Sequence, residues 1–232
     1  MAWTHLAWAA GGYVAGTFPS TWIVARAKRA TGLLSAAGRS SGETDPHILM
    51  ARHLGVGWSA LAATLDVVKG FVYVLASREW GTLPEAWLAL TGVLVVVGHS
   101  YPFYARRMAG RGLAAMAGVF LVLLPVEMTI CGLLIVVGGV TRTTGLATTV
   151  GLASVPVVAA VQGQPGSFVA MAAAIFAVIL IRRLEGMGDV VRSGTNPLRA
   201  ALYRGVFDSS GPPPGHGVWD QEPTGQEDVP RS

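Results

Sequence analysis

Apolar residues run along the chain in long blocks, broken by short stretches rich in Gly, Pro, Arg and Lys. About seven blocks can be marked, near 5–25, 55–76, 86–104, 113–124, 126–140, 146–161 and 167–181. A straight helix needs about 20 residues to cross the hydrocarbon core, with a range of roughly 17–25. The fourth and fifth blocks fall short of this, and Pro125 stands between them. Proline cannot donate the backbone bond that a continuous helix would need there. Two readings compete: one long kinked helix, or a tight hairpin of two short helices. The first block has its own interruption, "GTFPS", where Pro19 frees backbone groups. Inside a membrane these are tolerated only where helices pack or water enters.

Composition agrees with a membrane protein. The chain is 52% hydrophobic and only 13% charged, against about 25% charged in soluble domains. The pattern predicts an all-α, polytopic membrane protein with about seven transmembrane helices, two of them short. The start, "MAWTHLAW", lacks a basic region and a small-residue cleavage site before its apolar run. It reads as a retained first span rather than a signal peptide. A single cysteine, Cys131, excludes an internal disulfide framework, and the 5 histidines lack zinc-ligand spacing. No metal or cofactor is expected. From 184 onward Pro, Gly and acidic residues accumulate, with disorder expected from about 208. The chain therefore divides into a transmembrane unit, 1–184, and a cytoplasmic, largely disordered tail, 185–232.

Charge arbitrates between hairpin and kink. The net charge is +4, and the cations sit in short loops between apolar blocks. That is the positive-inside pattern of a protein whose partner is the bilayer, and no nucleic acid is expected. Lys28, Arg29, Arg39 and Arg52 fall in the first loop, Arg106, Arg107 and Arg111 in the third, and Arg142 after the fifth block. If Pro125 marks a turn on the outer side, every basic loop is cytoplasmic. The N-terminus is then outside and the C-terminus inside. A kink would instead put Arg142 outside, so the hairpin fits better.

Some residues are costly where they stand. Asp66 and Lys69 lie inside the second block, where a charge costs roughly 2.5–3.5 kcal/mol on insertion scales. Their i,i+3 spacing lets them form an ion pair on one helix face. His99 ends the third block, and "AGRG" follows with Gly110, Arg111 and Gly112 just before the fourth. Glycines, a guanidinium and a helix N-terminus together suit a phosphate. In the first loop Arg39, Ser40, Ser41, Gly42 and Arg52 offer a second anion cradle. Glu127, beside Pro125, is expected to be solvated and without a role.

These residues, in order, resemble a family. "GTFPSTWIVAR", a Ser/Gly loop ending in Arg52, "LDVVKG", "GHSYPFYARRMAGRG", "TRTTGLAT" and "IRRLEGMGD" are similar to the motifs of bacterial acyl-phosphate-dependent glycerol-3-phosphate acyltransferases of the PlsY type. "LDVVKG" matches in full, and the His99 motif aligns without gaps. Arg111 stands where the family has lysine, and Thr17 where it has serine. The first loop keeps Ser41, Gly42 and Arg52, and the later hydroxyl motif keeps Thr148. The histidine that the family carries before the last basic pair is replaced by an aliphatic run. The resemblance implies about seven spans in a bacterial plasma membrane, with the active site towards the cytoplasm. It implies transfer of a fatty acyl group from acyl-phosphate to the sn-1 hydroxyl of glycerol 3-phosphate. His99 and Lys69 would then be catalytic. Thr17, Ser41, Gly42, Arg52, Gly110, Arg111, Gly112 and Thr148 would bind substrate phosphate. A non-catalytic homologue that binds lipid or phosphate, or a scaffold, is the alternative.

Overall fold

The structure is a computed structural model, and it describes residues 2–32, 34, 45–104, 110–185, 191 and 196–207. In chain order the described helices are α1 (Ala2–Gly16), α2 (Ser20–Ala27), α3 (Pro46–Leu54), α4 (Val56–Glu79) and α5 (Glu85–Ser100). They continue with α6 (Leu113–Leu123), α7 (Pro125–Val140), α8 (Thr144–Val161), α9 (Gly166–Leu184) and α10 (Pro197–Gly205).

The first apolar block is not one straight helix. The chain leaves α1 at Gly16, and α2 starts only after Pro19. The ring cannot donate a backbone bond, so the helix stops short of it. At Leu124 the backbone turns to φ −140° and ψ 58°, and Pro125 becomes the first residue of α7. The direction then reverses. The start of α6 lies by Ser100 and Ile179, the ends of α5 and α9. The start of α7 lies at the opposite end, where Gln164 of the α8–α9 turn bonds Glu127. Helices α7 and α8 are antiparallel, with Cys131 facing Gly151 and Gly138 facing Ala147. This is the hairpin reading, and it excludes the kink.

Helices α4, α8 and α9 are long and apolar enough to cross a membrane. Besides the two short spans the sequence predicts, α5 is also short, at 16 residues. The core lies where α5, α6, α8 and α9 meet, around Val95, Val96, Phe120, Val155, Ile175 and Ile179. Apolar side chains such as Val136, Val140, Val157 and Val161 point outward, as lipid-facing positions do. Parallel helices α1 and α5 cross so closely that a Cβ on Gly16 would lie 2.1 Å from the Val95 carbonyl oxygen. That contact seats the break after α1 directly beside the end of α5. A second apolar cluster, with Val24, Met50 and Ala62, seats α2 and α3 against α4.

Two expectations need correction. Glu127 is not solvated: it is 1% exposed. Gln164 Nε2 donates to it at 3.2 Å, and the positive end of α7 lies under it. The packed unit also extends beyond 184. Helix α10 docks on the bundle, where the buried Arg183 donates to Thr149 Oγ1 at 2.6 Å and to the Gly205 carbonyl at 3.3 Å. The stretch from 208, expected to be disordered, lies outside the described residues.

Candidate active site

Asp66 lies in the middle of α4 and is 1% exposed. A carboxylate in that position needs compensation from its neighbours. The polar groups around it come from α3, α4 and α5. Lys69, one turn along α4, places Nζ 2.6 Å from Oδ1. His99, at the end of α5, places Nδ1 3.3 Å from the same oxygen. His47, in the first turn of α3, donates from Nε2 to Oδ2 at 3.0 Å.

The break after α1 completes this cluster. Lys69 Nζ donates at 2.9 Å to the carbonyl of Phe18, a group that α1 can no longer use. It also meets His99 Nδ1 at 3.0 Å. An ammonium can only donate, so Nδ1 is the acceptor and neutral His99 carries its ring proton on Nε2. That nitrogen faces Gly110, where a Cβ would lie 2.3 Å away. The absence of a side chain at 110 is thus what lets the Gly-rich loop reach the imidazole. The loop enters α6 through Gly112, a left-handed residue at φ 91° that an L side chain rarely adopts.

Helix α3 begins as its sequence suggests. Asp45 caps it by accepting from the His47 backbone N–H at 2.9 Å, and Pro46 takes the first helical position. Ser59 Oγ donates to the His47 carbonyl at 2.9 Å. Burial pulls the His47 imidazole down, but the hydrogen bond to Asp66 and the charges of Asp45 and Asp66 outweigh it, leaving its pKa above the ordinary 6.5. Asp45 also holds the loop: Arg111 Nε lies 3.3 Å from its Oδ2.

A narrow cleft runs from the α1–α2 break to Asp66, His99 and Gly110, with Pro102 and Tyr104 on its far wall. Tyr104 donates its hydroxyl to the Thr17 carbonyl, which ties that wall to the break. Ser20 Oγ and Trp22 Nε1, both on the cleft lining, are buried without hydrogen-bond partners among the described residues.

The arrangement bears on cation chemistry. His47, Asp66 and His99 offer ligand atoms that all lie within 4.8 Å of one another, a set of the kind that holds zinc. Here Lys69 Nζ stands among them, so a side-chain ammonium already supplies the positive charge.

The residues singled out in the sequence are placed unevenly. Asp66, Lys69, His99 and Gly110 meet at one point, and Thr17 lies on the cleft. Arg111 and Gly112 lie next along the loop, with Arg111 linked to the cluster through Asp45. Arg52 is exposed near the end of α3. Thr148 is buried in α8, and its hydroxyl donates to the Thr144 carbonyl at 2.7 Å. Ser41 and Gly42, with Arg39 and Ser40, lie outside the described residues. His47, Asp45 and the Phe18 carbonyl were not foreseen. The "DPH" at 45–47 does signal a helix start, but nothing in it shows which way His47 faces.

Residues 6–192 match the family described as glycerol-3-phosphate acyltransferase. A glycerol-3-phosphate acyltransferase of Geobacter sulfurreducens is 31% identical over 193 residues, covering 79% of this chain and 91% of that one. One of Geotalea daltonii is 27% identical over 186 residues, covering 80% and 92%. The fold is similar to a crystal structure of PlsY (YgiH), an integral membrane glycerol 3-phosphate acyltransferase, in its glycerol 3-phosphate form. The TM-score is 0.67 at 24% identity, over 83% of this chain and 94% of that one.

Proposed function

The chain belongs to the glycerol-3-phosphate acyltransferase family, and from that premise we propose that it transfers a fatty acyl group from acyl-phosphate to the sn-1 hydroxyl of glycerol 3-phosphate. The hydroxyl oxygen bonds to the acyl carbon, and the bond from that carbon to the phosphate oxygen breaks. Lysophosphatidate and inorganic phosphate are the products, for phospholipid synthesis in the membrane. The observation that carries this reading is the buried Asp66–Lys69–His99 cluster at the end of a cleft, with the Gly110–Gly112 loop against it.

Each group has a task. Arg111, the loop N–H groups and the N-terminus of α6 receive a phosphate. Lys69 and the Nε2–H of His99 supply positive charge and a donor where negative charge grows during transfer. His99 Nδ1 is occupied by Lys69, so the hydroxyl proton leaves to a phosphate oxygen rather than to that nitrogen. The acyl chain lies between helices, open to lipid. The loop charges orient the protein with its N-terminus outside and its C-terminus in the cytoplasm.

The test is phosphate release from acyl-phosphate by the purified protein in lipid nanodiscs. Release is expected only when glycerol 3-phosphate is present. Release no greater than that of Lys69→Met would overturn the reading.

A further inference from the structure

We infer that His47 is a positioning residue for this site: by holding Asp66 Oδ2, it keeps Oδ1 turned towards Lys69, which in turn bonds His99. The inference rests on the acyl transfer proposed above.

The argument begins with the two oxygens of one carboxylate. Oδ1 faces Lys69 at 2.6 Å and His99 at 3.3 Å, whereas Oδ2 accepts from His47 at 3.0 Å. Asp66 has two side-chain torsions, and without a partner on Oδ2 its carboxylate can rotate and exchange the two oxygens. Lys69 would then lose the fixed anion that sets its geometry, and with it the hydrogen bond it gives to His99.

His47 is itself held in place. Its N–H is bonded to Asp45 and its carbonyl to Ser59, each at 2.9 Å. Its Nδ1 is buried without a hydrogen-bond partner among the described residues. The hydrogen bond of the ring is therefore made to Asp66. Asp66 and His99 line the cleft and His47 does not, so it acts on the reacting atoms only through Asp66. Among the described residues, the charged groups around it are Asp45 at the start of its own helix, Asp66 and Lys69 on α4, His99 on α5, and Arg111 beyond Asp45.

The experiment uses the full chain in nanodiscs, with His47→Leu, His47→Gln, and His53→Gln as an exposed control on the same helix. His47→Leu is expected to lower kcat by about tenfold or more, move the pH–rate profile, and leave KM for glycerol 3-phosphate within about twofold. His47→Gln keeps an N–H donor of similar reach and is expected to hold kcat within about threefold of wild type. The control matches wild type. A folded His47→Leu with wild-type kcat and pH profile, or a His47→Gln as slow as His47→Leu, overturns the inference. If His47→Leu does not fold, His47→Asn, whose amide falls short of Oδ2, takes its place. Nuclear magnetic resonance of labelled histidines separates this from failure of the acyl-transfer reading. Even in a chain without acyltransferase activity, the titration midpoint of His99 must move in the donor-less variant and stay in His47→Gln. An unmoved midpoint overturns the role of His47.

Discussion

Arg111 Nε lies 3.3 Å from Oδ2 of Asp45, the residue that caps α3. One carboxylate thus joins the proposed phosphate loop to the helix that carries His47. A substrate phosphate that takes the Arg111 guanidinium must compete with Asp45. Asp45→Asn keeps the cap, since Asn caps about as well as Asp, but removes the competing charge. KM for glycerol 3-phosphate is expected to fall about threefold, because an anion then meets an uncontested guanidinium. An unchanged or raised KM in steady-state kinetics would count against phosphate binding by Arg111.

Gly110→Ala tests how closely the loop must approach. Its methyl group would lie 2.3 Å from His99 Nε2, so the ring or the loop has to shift. A displacement of about 1 Å in an active site costs on the order of a hundredfold in rate. We expect kcat to fall by about that factor. The melting temperature should change little, because Gly110 lies in a loop rather than within a helix.

Lys69→Met leaves the Asp66 carboxylate buried without its nearest cation. Breaking a buried pair costs about 3–5 kcal/mol, and the variant is expected to be destabilised by that order and inactive. Adding Asp66→Leu should restore stability but not turnover. Denaturation in detergent micelles and phosphate release read the two effects separately. A double variant as unstable as the single one would contradict the charge argument.

Stability should depend on pH through His47. Its pKa is raised above 6.5 in the folded protein, chiefly by Asp66. A raised value means that the protonated form is favoured by folding. Its contribution is complete below about pH 6.5 and is lost as pH rises through the higher folded value. The difference in unfolding midpoint between wild type and His47→Gln should therefore be largest in mild acid and shrink in mild alkali. A difference that grows with pH would reverse the sign of the linkage.

Chelation probes the ammonium among the potential metal ligands. Because Lys69 Nζ lies 2.6 Å from Asp66 Oδ1, the carboxylate is already neutralised. Treatment with a chelator is expected to leave turnover within about twofold of the untreated rate. Loss of activity that zinc restores would show that a metal, and not Lys69, occupies the cluster.

Much of the architecture was legible in the sequence because it rests on backbone chemistry. Pro19 and Pro125 each mark a helix start, and the loop charges favoured the reversal at Leu124 over a kink. Asp66 and Lys69 were legible as a pair because i,i+3 spacing is a property of one helix. The rest depends on how helices turn towards one another. His47 reaches Asp66 only because α3 packs on α4 through Met50 and Ala62. The Phe18 carbonyl could not be named from any side chain, since it meets Lys69 only because the chain leaves helical geometry between Gly16 and Ser20. Glu127 was misread because its cover, Gln164, comes from a turn far along the chain.

Helix α6 has 11 residues, a rise of about 16 Å at 1.5 Å per residue, against a hydrocarbon layer of roughly 30 Å. Its first turn follows directly from the loop that meets His99. Most of α6 is buried, so neighbouring helices rather than lipid surround it, and the loop at its start lies recessed inside the protein. A reaction between a water-soluble phosphate and a greasy acyl donor needs a meeting place of that kind. The shortness of α6 thus sets the depth of the reaction: each turn added to it would lift the phosphate loop towards the membrane surface and away from the acyl chains.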